Sequence, residues 1–506
     1  MKKNLIISLF FIIPFQIVFS QKTVTVSDSI DWEAESAFVD NNVKHAEIQY
    51  KYLISKMTRT DRYPRTVNNG NLEVTSGDAW TNGFFAGSLW YLYEYSKDDY
   101  WKIQAKAWTE SLEGDSYTAN SHDIGFILFC SFGNGYRLEP QENSNYKNII
   151  IRGSNALSNR FNSIVQCIKS WDWYSNQCPV IIDNMMNLEM LMWASKATDN
   201  LDEAQKFMSI GTQHADKTMV NHLRDDYSSY HLVEYNATTG NVIKRVTYQG
   251  WSDNSMWARG QGWGIYGFTM MYRETGDGKY LETAKKMADV YLNHPRLPED
   301  KIPWWDFNAG QPGYVKAFSR NDFTTVEYRD ASAGAIVASA LFELYTFTDN
   351  AQYLNAAIDM LHSLASDEYL AEENTNQGFL LKHCVGNFPG GTEIDAPLVY
   401  ADYYFLEALL RYQTIIKVAL GDGAGIKETP LHPITVFPNP ADGIFTIQVE
   451  ALPAHYDIYS IAGTLLNSGN LSQHSNIIDM TELNQGIYLL KTQTGNNIYS
   501  NKIVIK

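Results

Sequence analysis

Cysteine is scarce, with four in 506 residues and no Cys-x-x-Cys pair, which excludes a disulfide framework and the common zinc-binding spacings. Basic residues are outnumbered, 40 Lys and Arg against 57 Asp and Glu, for a formal net charge of -17. A surface so poor in positive charge disfavours nucleic-acid binding, because neutralising phosphates needs a basic face. An anionic small ligand therefore requires a local basic pocket. Beyond the first twenty residues no unbroken apolar run approaches the roughly 18 residues of a membrane-spanning helix, so none is expected in the mature chain. The glycine cluster Gly421, Gly423 and Gly425 is not a phosphate loop, since no strand precedes it and no Lys-Ser/Thr follows. Present in excess are aromatics, 13% of the chain with 32 Tyr and 13 Trp, flat amphipathic rings that pack cores and also stack on ligands such as sugars.

The first residues, with Lys2 and Lys3, an apolar run from Leu5 to Phe19 and the small Ser20, have the pattern of a secretory signal peptide over 1–20. Cys167 and Cys178 flank a Trp-rich loop and could pair in an oxidising compartment, although unpaired thiols are the favoured reading. Cys130, within Phe126-Ile127-Leu128-Phe129, reads as a buried small hydrophobe.

Between 40 and 417, apolar residues at three- and four-residue spacing and short polar turns predict about twelve helices in pairs. The pairs are 83–96 with 100–112, 123–137 with 146–163, 184–198 with 202–220, 259–275 with 278–294 and 330–348 with 351–366, with 45–57 and 400–417 completing the series. One member of each pair is apolar on all sides and the other has a single apolar stripe, so inner and outer helices are expected. Six such pairs close a toroid; uneven spacing and long loops at 221–258 and 295–329 argue against an open repeat array. The expected fold is therefore an all-α (α/α)6 barrel over 21–419, a linker over 420–435 and a small all-β C-terminal domain over 436–506, where short alternating strands begin. That tail, with Phe437-Pro438-Asn439-Pro440, Tyr456-Asp457-Ile458-Tyr459, Gly486-Ile487-Tyr488 and the ending Lys502-Ile503-Val504-Ile505-Lys506, resembles the sorting domain of type IX secretion. The resemblance implies export-machinery partners and a secreted or surface-attached protein that passes through the periplasm.

Two carboxylates stand at the starts of inner helices, Asp123 in Ser121-His122-Asp123-Ile124-Gly125 and Asp183 in Ile181-Ile182-Asp183-Asn184-Met185. Either alone reads as a helix cap. Together at one end of a toroid they are acid/base equipment, since repulsion and desolvation raise one pKa beside an ionised partner. A second cluster, His231, Gln249 and Trp257-Ala258-Arg259-Gly260-Gln261-Gly262-Trp263, offers a guanidinium able to grip a carboxylate through two bonds; the competing reading pairs Arg259 with Asp253 or Asp330. Trp80, Trp171 and Trp173 add stacking surface.

Trp80-Thr81-Asn82-Gly83-Phe84, His122 to Phe126, Asp183 to Leu188 with Trp193-Ala194, Arg259 to Trp263 and Tyr400-Ala401-Asp402-Tyr403-Tyr404, in this order, resemble the unsaturated glucuronyl hydrolases of glycoside hydrolase family 88. The resemblance implies an (α/α)6 barrel that removes a 4,5-unsaturated uronate from lyase-generated oligosaccharides by hydrating its enol ether. It implies Asp183 as general acid and Asp123 as its partner, with His231, Gln249, Arg259, Trp263, Trp80 and Trp173 holding the sugar and Arg259 clamping its carboxylate. It implies no metal and no organic cofactor. Ulvan oligosaccharides are the expected substrate. The alternatives are the sister family of unsaturated rhamnogalacturonyl hydrolases and a non-catalytic sugar-binding toroid.

Overall fold

The computed structural model describes residues 30–118, 120–173, 175–421, 434–449, 452–460, 465–494 and 497–505. The signal peptide expected over 1–20 and most of the linker expected over 420–435 lie outside the described residues. Those described form two compact units, over 30–421 and 434–505.

The first unit is built from helices in the order α1 (Trp32–Lys56), α2 (Asn82–Ser96), α3 (Asp99–Glu110), α4 (Ile124–Leu128), α5 (Asn134–Leu138), α6 (Ser144–Ser158), α7 (Asn184–Ala197), α8 (Leu201–Asn221), α9 (Ala258–Thr275), α10 (Gly278–Leu292), α11 (Ala331–Thr348), α12 (Ala351–Leu364) and α13 (Val399–Ala419). A π turn at Phe129–Gly133 joins α4 to α5, so the two are halves of one helix. The helices α2, α4–α5, α7, α9, α11 and α13 are buried over most of their length. Each packs on the next and α13 returns to α2, closing a ring of six. Outside it lie α3, α6, α8, α10, α12 and α1, which bury one stripe each. The helix α11 is long and apolar enough to cross a membrane, contrary to the sequence expectation, but 83% of it is buried within this unit. It is a core helix of the ring.

Capping follows the layers. Five outer helices start from a side-chain cap, Asp31, Asp98, Asn200, Asp277 and Asn350, each offsetting first-turn amides by about 1 kcal/mol. Among the inner helices only α11, capped by Asp330, does so; the N-cap side chains of α2, α4, α7, α9 and α13 make no such bond. The first turns of these five helices, buried, lie at the end of the ring where the candidate residues gather. Toward the other end, Arg273 of α9 bonds Glu343 at 2.6 Å and Glu274 at 3.0 Å, and also Glu189. Arg411 bonds Glu343 at 3.0 Å, so buried ion pairs tie α7, α9, α11 and α13 together.

Several strands in the loops were not anticipated. A hairpin joins β1 (Tyr63–Asn68) to β2 (Asn71–Thr75), and β3 (Phe161–Asn162) pairs with β4 (Cys167–Ile168). A three-stranded sheet orders β5 (Gln177–Ile181), β6 (Leu232–Asn236) and β7 (Val242–Val246), and a second hairpin pairs β8 (Cys384–Asn387) with β9 (Thr392–Ala396). Cys167 and Cys178 are free thiols buried in one apolar cluster with Val180 and Val233, and Cys130 is likewise buried and free.

The second unit is a two-sheet sandwich. One sheet orders β10 (Ile434–Phe437), β11 (Ile444–Val449) and β14 (Ser475–Asp479); the other orders β13 (Leu465–Leu471), β12 (Ala454–Ser460), β15 (Gly486–Thr494) and β16 (Asn497–Ile505). Alternate residues of both, including Phe445, Ile447, Ile458 and Leu490, share one core, as strands with one buried face require.

Candidate active site

Asp123 and Asp183 occupy the N-cap positions of α4 and α7, neighbours in the ring, and neither carboxylate caps its helix. Burial raises Asp183 to about 7; Asp123 adds to the rise, while the positive charge of Arg259 and the Trp263 indole oppose it. Burial raises Asp123 to about 7 as well, against the pull of Asn187, Ser121 and Arg160. Two interacting carboxyls of this kind titrate as a pair. Asp183 Oδ2, His231 Nε2 and the Trp263 indole nitrogen are all buried without a hydrogen bond of normal geometry among the described residues, so each is a polar group whose place in the cavity asks for an explanation.

His231 follows β5–β6 pairing, which fixes its backbone beside Ile182. Its Nδ1 accepts the N–H of Tyr248 at 3.0 Å, so the neutral ring carries its proton on Nε2, 3.9 Å from Asp183 Oδ2. Burial, with Arg259 nearby, lowers this histidine to about 3, and it serves as a hydrogen-bond donor rather than a cation. His122 Nε2 lies 3.3 Å from Asp123 Oδ1 and is also lowered to about 3, first by burial.

Trp80 packs on Phe126 and Tyr400 with ring centres 5.6 and 5.0 Å apart, and Trp263 packs on Phe126 at 5.4 Å and Tyr404 at 5.5 Å. These rings wall the acid pair. Of the two loop tryptophans it is Trp171 that approaches His122 and His231, at 6.3 Å from each. Trp173, 39% exposed, stacks on Trp171 at 4.8 Å and is one ring further out.

The free two-pronged clamp expected of Arg259 is corrected. Its Nη1 donates to Asp330 Oδ2 at 3.3 Å and to the Val385 carbonyl, and its Nη2 donates to Gln249 Oε1 at 2.7 Å and to the Gly386 carbonyl at 2.6 Å. All four terminal N–H groups are thus spent inside the protein, on partners 10 to 127 residues away. Asp330 rather than Asp253 is the paired acid. Arg259 is a fixed cation that braces Gln249 and the β8 strand, with its charge felt at Asp183. Gln261 is structural too, accepting the Ser229 N–H at 2.8 Å and donating to Tyr227 and Met287 carbonyls. Asn187, Asp330 and Tyr400 were not singled out as site residues by sequence reasoning. Asp330 and Tyr400 lie at the starts of α11 and α13, a position that all the inner helices share and that the helix pattern makes visible.

The chain is 42% identical over 376 residues to the unsaturated glucuronyl hydrolase of Formosa agariphila, covering 73% of this chain and 89% of that one. It belongs to the unsaturated glucuronyl hydrolases. It is therefore a glycoside hydrolase, and the sister-family and non-catalytic alternatives fall away. A second relative, the unsaturated chondroitin disaccharide hydrolase of Streptococcus agalactiae, is 32% identical over 70% of this chain and 86% of its own. Among solved structures, an unsaturated glucuronyl hydrolase described as specific for heparin matches with a TM-score of 0.69 and 43% identity, over 75% of this chain and 98% of that one. The helical toroid is thus the fold of the family. Residues 435–506 match the secretion system C-terminal sorting domain, which marks the protein for type IX export.

The N-termini of α2, α7, α9 and α13, which no N-cap side chain neutralises, carry partial positive charge in a glucuronyl hydrolase with a net charge of -17, and partial charges of this kind favour an anionic group beside them. The pH dependence follows from the acid pair. A donor raised to about 7 is protonated below that pH and lost above it, so kcat is expected to fall about tenfold per unit on the alkaline side. Initial rates across about pH 5–9 check this; a rate still flat well above neutrality would contradict it.

Proposed function

We propose that the protein removes the 4,5-unsaturated glucuronyl residue from the non-reducing end of lyase-generated oligosaccharides by hydrating the C4=C5 enol ether. The observation that carries the reading is the pair of buried carboxyls that head adjacent inner helices without capping them, both raised to about 7. Protonated Asp183 gives its proton to C4. Water adds at C5, and its proton goes to the Asp183 carboxylate, so the acid is restored. The C5 hemiketal then collapses, the ring opens and the aglycone leaves. This differs from the displacement at the anomeric carbon that two carboxylates perform in ordinary glycosidases. Asp123, ionised, keeps the pair's shared proton on Asp183 and orients the sugar. His231 Nε2–H and the Trp263 indole N–H supply donors, Trp80 and Trp171 supply stacking faces with Trp173 outside them, and Gln249 is held by the Arg259 cation.

Glycosaminoglycan fragments are the substrate class that the relatives' names support. Ulvan fragments, in which the unsaturated uronate is joined to sulfated rhamnose, are the second reading. What supports them is the export tail together with the acidic composition, a net charge of -17; Lys382 and His383 bond the Asp367 carbonyl at 2.7 Å and Asp395 at 2.5 Å. The type IX tail is then removed, or exchanged for a surface anchor, as the enzyme leaves the cell. Loss of the ultraviolet absorbance of the conjugated enol ether, followed side by side on chondroitin, hyaluronan, heparin, ulvan and pectin lyase products, tests the reading. Turnover of a glucuronyl product is expected; absorbance that persists with all of them would overturn it.

A further inference from the structure

Asp123 sits where a capping aspartate sits, yet its carboxylate accepts nothing from α4. The first turn of α4 is capped all the same. The N–H of Phe126 donates to Asn187 Oδ1 at 2.9 Å, and Asn187 belongs to α7, one turn beyond Asp183. The neighbouring helix therefore supplies the cap. Gly125 makes the approach possible, since a Cβ there would stand 2.7 Å from Asn187 Oδ1 and 2.8 Å from its Cα, closer than side chains pack.

With its oxygen spent on Phe126, the Asn187 amide has only its NH2 group left to give. That group is buried, without a hydrogen bond of normal geometry among the described residues, and it favours the charged form of the Asp123 carboxyl. A carboxylate bound to its own helix amides is turned away from the cavity and loses basicity. We infer that Asn187 is a positioning residue for the reaction: it caps α4 from α7, so that the Asp123 carboxylate is released toward the sugar and held beside Asp183 by the amide NH2. The inference rests on the assignment of Asp123 and Asp183 as the reacting pair. A buried asparagine that merely ties two helices together is the competing account, and the two roles are separable because they use different ends of the amide.

Asn187→Asp keeps an acceptor for the Phe126 N–H but removes the donor and adds negative charge beside Asp123. It is expected to fold and to lose at least about tenfold in kcat, with KM changed by less than about threefold. Its acid-side pH limb should move to higher pH, because Asp123 then ionises less readily. Asn187→Ala, lacking both ends, is expected to show the same kinetic loss with a lower melting temperature. Asn187→Ser, which keeps a small donor and acceptor, carries the comparison if Asn187→Asp does not fold. Asp123→Asn is measured alongside: near wild-type turnover there would sink the acid-pair assignment itself. If Asp123→Asn is inactive while folded Asn187→Asp, or Asn187→Ala in which both ends are gone, retains wild-type kcat and pH profile, this inference alone is overturned.

Discussion

Asp183→Asn should abolish turnover while leaving the protein folded, and at alkaline pH more stable than the wild type. A positioned proton donor contributes typically 10²–10⁴-fold, and an amide can neither protonate C4 nor take the proton from water, so a loss at or beyond the upper end is expected. The stability effect has a definite sign. Burial raises Asp183 from 3.8 to about 7 in the folded protein, so between those values the native state holds a proton that the unfolded chain has released. Native stability from this group is complete in acid and declines as pH rises through that window. Above it, the folded protein carries a buried charge close to Asp123. Asparagine has the same shape without the charge, so melting curves of mutant and wild type should coincide near pH 4 and separate in the mutant's favour near pH 8. Residual activity close to wild type would remove Asp183 from the chemistry; a mutant less stable at both pH values would mean that its carboxylate is a structural tie.

Arg259→Ala should be the most damaging single change to the frame of the site. It strands the wholly buried Asp330, and breaking a buried ion pair from one side costs about 3–5 kcal/mol. It also leaves the Val385 and Gly386 carbonyls without their donors and lets Gln249 go. Thermal unfolding should therefore start at a lower temperature. Asp183 loses the positive charge that holds its pKa down, so the alkaline limb of the rate profile should move upward even as kcat falls. Arg259→Lys should rescue little, because one ammonium cannot reach four acceptors arranged around a planar fork. A mutant of unchanged melting temperature, with only a raised KM, would restore the simple clamp that the sequence suggested.

The inner and outer helices were legible because burial on one side or on all sides writes itself into apolar spacing, and the caps of α10 and α12 sit where the pattern puts them. The start of α1 was missed by some thirteen residues: from Trp32 to Lys44 polar residues dilute its stripe. Of the loop hairpins, β6–β7 carries β-branched and aromatic residues in Leu232-Val233-Glu234-Tyr235, buried at all four positions, that a strand reading would have caught, while β8–β9 is short and bent by a bulge between Cys384 and Val385. The acids were visible because both head apolar helices. Of the commitments of Arg259, Asp330 was one of two acids named against the clamp; Val385 and Gly386 were not foreseen, since they are distant in the chain and no local pattern tells an open guanidinium from an occupied one. Asn187 could be seen in the run after Asp183, but its role appears only once Gly125 is known to lie against it.

The ring closes where Val399–Ala419 meets Asn82–Ser96, and this sets an order on assembly. While the chain is still being made, the flanks of the second and eleventh helices that await the last one have nothing to cover them. A polypeptide stopped before residue 399 is an open horseshoe with two bare apolar edges, not a smaller barrel. Closure between such distant segments comes late and slowly. Until residues 399–419 are in place those two flanks stay bare, and they are where a partly made chain is open to non-native contact.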